Sequence, residues 1–408
     1  MKTFVLTTVG STGDVVPHLA LARGLLARGH RVRVCSHSFH RDFFQKAAID
    51  FVAVGAPLEV ADFNRLMDLA AREGAPIKQF DVLVRQLFLR EAARAFSDLT
   101  AAMSDADFAV CQRFDYVGQE AARKRGIPWA SVTMVPQLIP TAEAPVYPTP
   151  NLGKTFSKMT WIALENMAEP TNKHAASVLR SLGCAPRKLD VAGASSPLLD
   201  LVPASPVLVQ ARGDWPRHVK LTGAWTVGAP ADYQPDNKLA DFLASKPLVF
   251  TFGSMGGSAG RDTAVLLLDA VARVGKPAIV QHGYSGLMTG ASLPPRVMAV
   301  GHVPHDYLFR RASCVIHHAG AGTAHAALES GAPSAPVPHL FDQYYWAGRL
   351  HEIGIAPKVI FRHQMSAKKL AKHIEEALGM GARASALGAR VAAEKGVEAA
   401  IAAIESVG

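Results

Sequence analysis

The chain has 408 residues, 49% of them hydrophobic and 19% charged, and a formal net charge of +9 at pH 7. A chain of that length can bury two separate cores, and that composition excludes disorder. No apolar run is as long as a membrane span, no signal peptide is visible, and the basic residues form neither a long tract nor an aromatic-interleaved patch, which argues against a membrane-spanning protein and against a nucleic-acid partner.

In chain order, residues 4–9 read as a continuous apolar strand, a glycine turn follows, and residues 16–28 have helical spacing. Further strands are expected at 31–36, 107–112 and 128–133, with a helix at 116–125. Five prolines make 136–150 a loop, and six more make 197–235 irregular. The alternation restarts with a strand at 247–252, a helix at 263–274 and strands at 278–281, 297–300, 313–317 and 334–337. A helix at 343–354, a strand at 358–361 and an alanine-rich helical end, 382–407, complete it. Strands alternating with helices imply parallel, doubly wound sheets. Two Rossmann-like domains are expected, 1–221 and 247–385, joined by a linker at 222–246. The four cysteines, Cys35, Cys111, Cys184 and Cys314, have no paired spacing and read as buried thiols of a cytoplasmic protein.

Ligands of such sheets bind beyond the carboxyl ends of the strands, so three strand ends carry the chemistry. The strand at 313–317 runs into His317-His318-Ala319-Gly320-Ala321-Gly322-Thr323 and a helix. Glycines let backbone approach a ligand, and the first free N–H groups of the helix present the positive end of its dipole. With a histidine and a threonine hydroxyl, this reads as a diphosphate cradle; the alternative is a plain strand-to-helix turn. The next strand ends in Pro338-His339-Leu340-Phe341-Asp342-Gln343. Asp342 offers two acceptors and Gln343 one acceptor with two donors, which suits either a helix cap or a clamp on a polyol.

The first strand runs into Gly10-Ser11-Thr12-Gly13-Asp14-Val15-Val16-Pro17-His18. A NAD-dependent dehydrogenase is excluded twice. The turn lacks Gly-x-Gly-x-x-Gly, and the second strand ends Cys35-Ser36-His37 with no acid to hold a ribose. Asp14 is left at the start of a helix, as a general base if burial raises its pKa or as a cap if it does not. His18, one turn on, is the reserve candidate. Asp105 and Asp107 have the spacing of a metal-binding Asp-x-Asp, but they sit at a charged corner and no metal site is implied.

Together these motifs resemble the signature of family 1 glycosyltransferases, nucleotide-sugar-dependent enzymes with the GT-B fold. The resemblance is strongest to the bacterial and fungal group acting on sterols, glycolipids and antibiotics, and is densest at 4–55 and 247–357. It implies an α/β architecture of two Rossmann-like, doubly wound domains facing across a cleft, with a C-terminal helix, 386–408, crossing back to the first. By resemblance, His318, Gly320, Gly322 and Thr323 meet the donor diphosphate, with Ser254 on its other side. His302 and Val303 would meet the base, and Asp342 and Gln343 the sugar. The first turn matches the branch with Gly-x-x-Gly-Asp-Val-x-Pro, in which aspartate takes the place of a histidine base. The aspartate that often supports such a histidine is missing: Gln112 ends the matching strand, and Asp115 lies three residues later. The glutamate that often holds ribose falls near Ala326, leaving Glu329 as surface charge.

The expected function is therefore inverting, metal-independent transfer of a hexose, without a cofactor. The donor would be a UDP- or dTDP-sugar, UDP-glucose favoured, and the acceptor a hydroxyl of a hydrophobic small molecule or lipid, with Asp14 as base and acceptor walls supplied by the loops 56–80 and 136–150. The positive charge would serve the donor, or a transient contact with an anionic membrane surface. A monomer or a homodimer fits equally. A catalytically silent nucleotide-sugar binder is the alternative, as is an epimerase of the same fold, which would bring extra carboxylates not seen in the sequence.

Overall fold

The computed structural model describes the chain except for residues 186–188, 190–193, 231, 253–259, 283–292 and 362–363; the side chains of 260–263 and 341 also lie outside the described residues. The chain divides into two compact units, Met1–Trp225 with Lys395–Gly408, and Thr226–Glu394.

Among the described residues, the first unit has seven strands: β1 (Thr3–Thr7), β2 (Arg31–Ser36), β3 (Asp50–Ala53), β4 (Phe108–Gln112), β5 (Trp129–Val132), β6 (Asp200–Val202) and β7 (Val219–Leu221). They pair in parallel in the order β3-β2-β1-β4-β5-β6-β7. Every residue of β1 and β4 is buried, the continuous pattern of strands covered on both faces. From β1 the chain winds outward through β2 to β3, then returns to lay β4 on the other side of β1. The carboxyl ends of β1 and β4 thus form a switch point, where open parallel sheets bind ligands. The last helix, Gly396–Glu405, packs on the first, Thr12–Ala27, and Arg28 pairs with Glu405 at 3.0 Å.

The second unit repeats the plan with β8 (Leu248–Thr251), β9 (Ala278–Gln281), β10 (Val297–Val300), β11 (Cys314–His317) and β12 (Ser334–Pro336), parallel in the order β10-β9-β8-β11-β12. Successive side chains serve opposite faces. Phe250, Val280 and Ile316 join Leu370 and Ile374 in one core, whereas Val249, Ile279 and Val315 join Leu308, Phe309 and Ala327 in another. The switch point of this sheet lies between β8 and β11.

Three expectations need correction. Residues 358–361 form no strand, because the edge N–H of Ser334 on β12 is already taken by the carbonyl of Ile355 at 2.9 Å. Within 197–235, β6 and β7 are short enough to fit between prolines. Residues 56–80 are not mainly loop but include the helix Val60–Arg72 and the start of Pro76–Leu83. All four cysteines are free thiols, and Cys35, Cys111 and Cys314 are buried. Among the described residues, no helix is long and apolar enough to cross a membrane.

Candidate functional site

At the β1–β4 switch point, Ser11 caps the helix Thr12–Ala27 and Asp14, on its first turn, folds back to close a capping box. Asp14 Oδ2 accepts hydrogen bonds from the Ser11 N–H at 2.8 Å and the Ser11 hydroxyl at 3.1 Å. Oδ1 accepts from Gln112 Nε2 at 2.8 Å. Gly10, at φ +125°, keeps the turn clear, since a Cβ there would strike the Asp14 carboxylate. Burial raises the Asp14 pKa to about 6, against the opposing pull of the Ser11 and Gln112 hydrogen bonds. Being a cap and being a tuned carboxylate are therefore not exclusive.

Gln112 is the residue that sequence reasoning passed over. It ends β4 where an acid was sought, and its amide does two jobs. Its Oε1 accepts from the Val9 N–H at 2.7 Å while its Nε2 holds Asp14. Strand order was the available signal, because the last residue of β4 must lie beside the β1 exit. Asp115 is turned away from Asp14 to cap the helix Tyr116–Arg125, accepting from the Gly118 N–H at 2.9 Å. His18 is fully buried, with Nδ1 2.8 Å from the Asp14 carbonyl, and burial lowers its pKa to about 4. It is neutral throughout the physiological range. Asp105 pairs with Arg33 at 2.8 Å, and Asp107 accepts from the Thr3 N–H at 2.7 Å, so these carboxylates serve separate partners.

At the β8–β11 switch point, β11 passes through His318 and Ala319 into the helix Ala321–Ser330, with Gly320 as its N-cap. No side chain caps this helix end, and its first internal bond runs from the Ala324 N–H to the Gly320 carbonyl at 2.9 Å. The N–H groups of Ala321, Gly322 and Thr323 precede it, without intrahelical partners. A Cβ on Gly320 would lie 2.7 Å from His318 Nε2, so glycine lets the imidazole lie over the helix start. Burial lowers the His318 pKa to about 4, partly offset by the Thr251 carbonyl, and the His317 pKa falls to about 3 chiefly through burial. A neutral His318 imidazole beside a row of free N–H groups is an arrangement able to receive an anion.

The remaining candidates lie at neighbouring strand ends of the same unit. His302 is exposed, and Val303 is fixed by a hydrogen bond from Gln281 Nε2 to its carbonyl at 2.9 Å. Ser254 lies outside the described residues. Asp342 accepts from Trp346 Nε1 at 3.2 Å. Gln343 Oε1 accepts from the N–H groups of His339 and Leu340, at 2.7 and 3.0 Å, so this acceptor caps its own helix, Phe341–Glu352, and only the amide donors are left for a ligand. Sequence reasoning also missed the link between cradle and clamp. Trp346 stacks edge-on against His325 at 5.0 Å, and His325 Nδ1 lies 2.7 Å from the Ala321 carbonyl. Glu329 is not surface charge: its side chain is 22% exposed, 3.6 Å from Arg310, and bonded to Thr226.

Residues 4–130 match the glycosyltransferase family 28 N-terminal domain, and residues 265–402 match the erythromycin biosynthesis protein CIII-like C-terminal domain. The chain is 28% identical to a sterol 3-beta-glucosyltransferase of Saccharomyces cerevisiae (strain YJM789) over 98% of its own length but only 35% of that protein's. It thus spans about a third of the length of such relatives. Among solved structures, the kitacinnamycin glycosyltransferase aligns with a TM-score of 0.73 at 20% identity, over 99% of this chain and 98% of the other. A glycosyltransferase of Streptomyces sp. SF2575 complexed with thymidine diphosphate aligns with a TM-score of 0.67 at 18% identity, over the full length of both chains (100% each).

Proposed function

We propose that the chain is a glycosyltransferase of the GT-B fold, an inverting enzyme that moves a hexose from a UDP- or dTDP-sugar to a hydroxyl of an apolar acceptor. The donor is assigned to the Thr226–Glu394 unit and the acceptor to the unit containing Asp14. The similarity to a structure complexed with thymidine diphosphate supports a nucleoside diphosphate donor, and that to sterol 3-beta-glucosyltransferases supports a glucosyl group and a sterol-like acceptor.

The observation that carries this reading is Asp14. Its carboxylate stands at a sheet switch point, its pKa is raised to about 6, and one amide, Gln112, fixes its orientation while leaving lone pairs on Oδ1. In a binder without catalysis Asp14 would serve as a helix cap alone. In the proposed reaction the acceptor hydroxyl gives its proton to Asp14 as its oxygen attacks the anomeric carbon, and the bond to the diphosphate breaks on the opposite face. Negative charge growing on the diphosphate is met by the N–H groups of Ala321, Gly322 and Thr323, the Thr323 hydroxyl and His318, a stabilisation that needs no metal ion. Asp342 and Gln343 are assigned to the sugar hydroxyls.

Asp14→Asn tests the assignment. Transfer should fall roughly 10²–10⁴-fold, the usual contribution of a general base, with UDP affinity by calorimetry unchanged. Near-normal transfer would dismiss Asp14 and promote His18. Wild-type protein that binds UDP-sugar yet yields no product with any acceptor would favour the silent binder.

A further inference from the structure

Ala319 stands between β11 and the helix Ala321–Ser330, and its backbone is left-handed, with φ +61°. Among the described residues, four that are not glycine take that conformation: Ala48, Glu91, Lys246 and Ala319. The first three are exposed, and only Ala319 is fully buried. A side chain in the left-handed region carries a steric cost that glycine avoids, and it persists where neighbouring contacts hold it. One contact does so here: the Ala319 N–H donates to His317 Nδ1 at 3.1 Å. A ring nitrogen that accepts carries no proton, so His317 is the neutral tautomer with its hydrogen on Nε2. Burial, then the nearby His318 and His305, lowers its pKa to about 3 and keeps it neutral. Its Nε2 is buried with no hydrogen-bond partner among the described residues, so the bond to Ala319 is what fastens the ring there. A side chain that accepts from the N–H two residues on does what aspartate and asparagine do in turns. That N–H belongs to the peptide joining His318 to Ala319, so the bond sets the plane of that peptide. The His318 imidazole hangs on one side of it and the Gly320 N-cap follows on the other.

We infer that His317 is a positioning residue of the donor site: by holding Ala319 left-handed, it sets the His318 ring and the N–H groups of Ala321, Gly322 and Thr323 in one orientation before a diphosphate arrives. The inference rests on the assignment of the donor diphosphate to this helix start, made above. It gives His317 no contact with the ligand. The gain is one of preorganisation, since a cradle already in its binding geometry loses less freedom when it is filled.

UDP affinity of the full chain, measured by calorimetry for three substitutions of His317, tests this. Asparagine places an oxygen where Nδ1 lies, glutamine carries its amide out towards the place of Nε2, and leucine has neither. His317→Asn should bind UDP within about threefold of wild type, whereas His317→Leu and His317→Gln should each lose about tenfold, the scale of one buried hydrogen bond. Adding Ala319→Gly to His317→Leu should recover part of that loss, because glycine reaches φ +61° without a fastening. Near-UV circular dichroism checks that the variants are folded, and the inflection of transfer near pH 6, set by Asp14, should stay in place in all of them. If His317→Leu fails to fold, the comparison of asparagine with glutamine decides. Retained affinity in His317→Gln with a loss in His317→Asn would overturn the proposal by placing a ligand on Nε2. Wild-type affinity in His317→Leu, or equal losses in the asparagine and leucine variants, would overturn it as well, while the donor assignment stands. Wild-type protein that binds neither UDP nor thymidine diphosphate would remove the donor assignment itself, and the proposal with it.

Discussion

Asp14 shows how far one carboxyl group can be tuned by its neighbours. The helix start and three hydrogen bonds favour its charged form, yet burial outweighs them and lifts its pKa to about 6. The sign of the resulting pH dependence follows directly. Below pH 6 the group is protonated and cannot accept the acceptor's proton; above pH 6 it is a carboxylate and can. The rate should rise about tenfold per pH unit below that point and level off above it. His18, neutral down to about pH 4, should not contribute a second inflection. A flat profile from pH 5 to 8 in protein shown to be folded would remove Asp14 from the reaction. The position of Asp14 was legible in the sequence, because an apolar run, a glycine turn and an acid at a helix start are local features. Its partner was not. Gln112 is 98 residues away in sequence, and only the parallel pairing of β1 with β4 brings the amide to the carboxylate.

Among the elements, the helix Phe341–Glu352 has the most at stake at its start. Gln343 spends its side-chain oxygen on two N–H groups there, so its first duty is structural. Gln343→Ala should lower unfolding stability by about 1–2 kcal/mol, read as a shift of the denaturation midpoint at unchanged slope. Gln343→Glu keeps the accepting oxygen and should restore most of that loss while still lacking the amide donors that a sugar would meet. If alanine leaves the midpoint unmoved, the cap carries no weight. Strands β1, β4, β8 and β11 were legible as short apolar runs because sheets covered on both faces leave no alternation to obscure them. The helix Lys154–Ser181 went unread. Pro170 lies inside it, although Trp161, Ala168, Thr171, Ala175 and Leu179 keep helical spacing along its buried face. The reverse error came at 358–361, where the apolar run Val359-Ile360-Phe361 looks like a strand but the edge N–H of Ser334 on β12 is already taken.

For the whole molecule, the return of Lys395–Gly408 to the first unit has a topological consequence. The second unit is an insertion into the first, with both ends leaving from one spot: Gly396 sits so close to the Gly223 and Ala224 backbone that a methyl group there would overlap it. If the inserted stretch were unfolded, the first unit would have to close a loop of roughly 170 residues, an entropy cost of about 4–5 kcal/mol from the logarithmic loop term. A folded second unit that holds its own ends together removes much of that cost. The second unit thus acts as a splint for a neighbour whose chain it interrupts. Removing residues 395–408 should therefore lower the melting temperature of the first unit, although those residues follow the second in the chain. Calorimetry that resolves the two transitions, with UDP marking the second, would read the difference; a loss confined to the UDP-stabilised transition would contradict it. Stability in this chain is contiguous in space but not in sequence, and a truncation near residue 395 would damage the unit that precedes the second one in the chain.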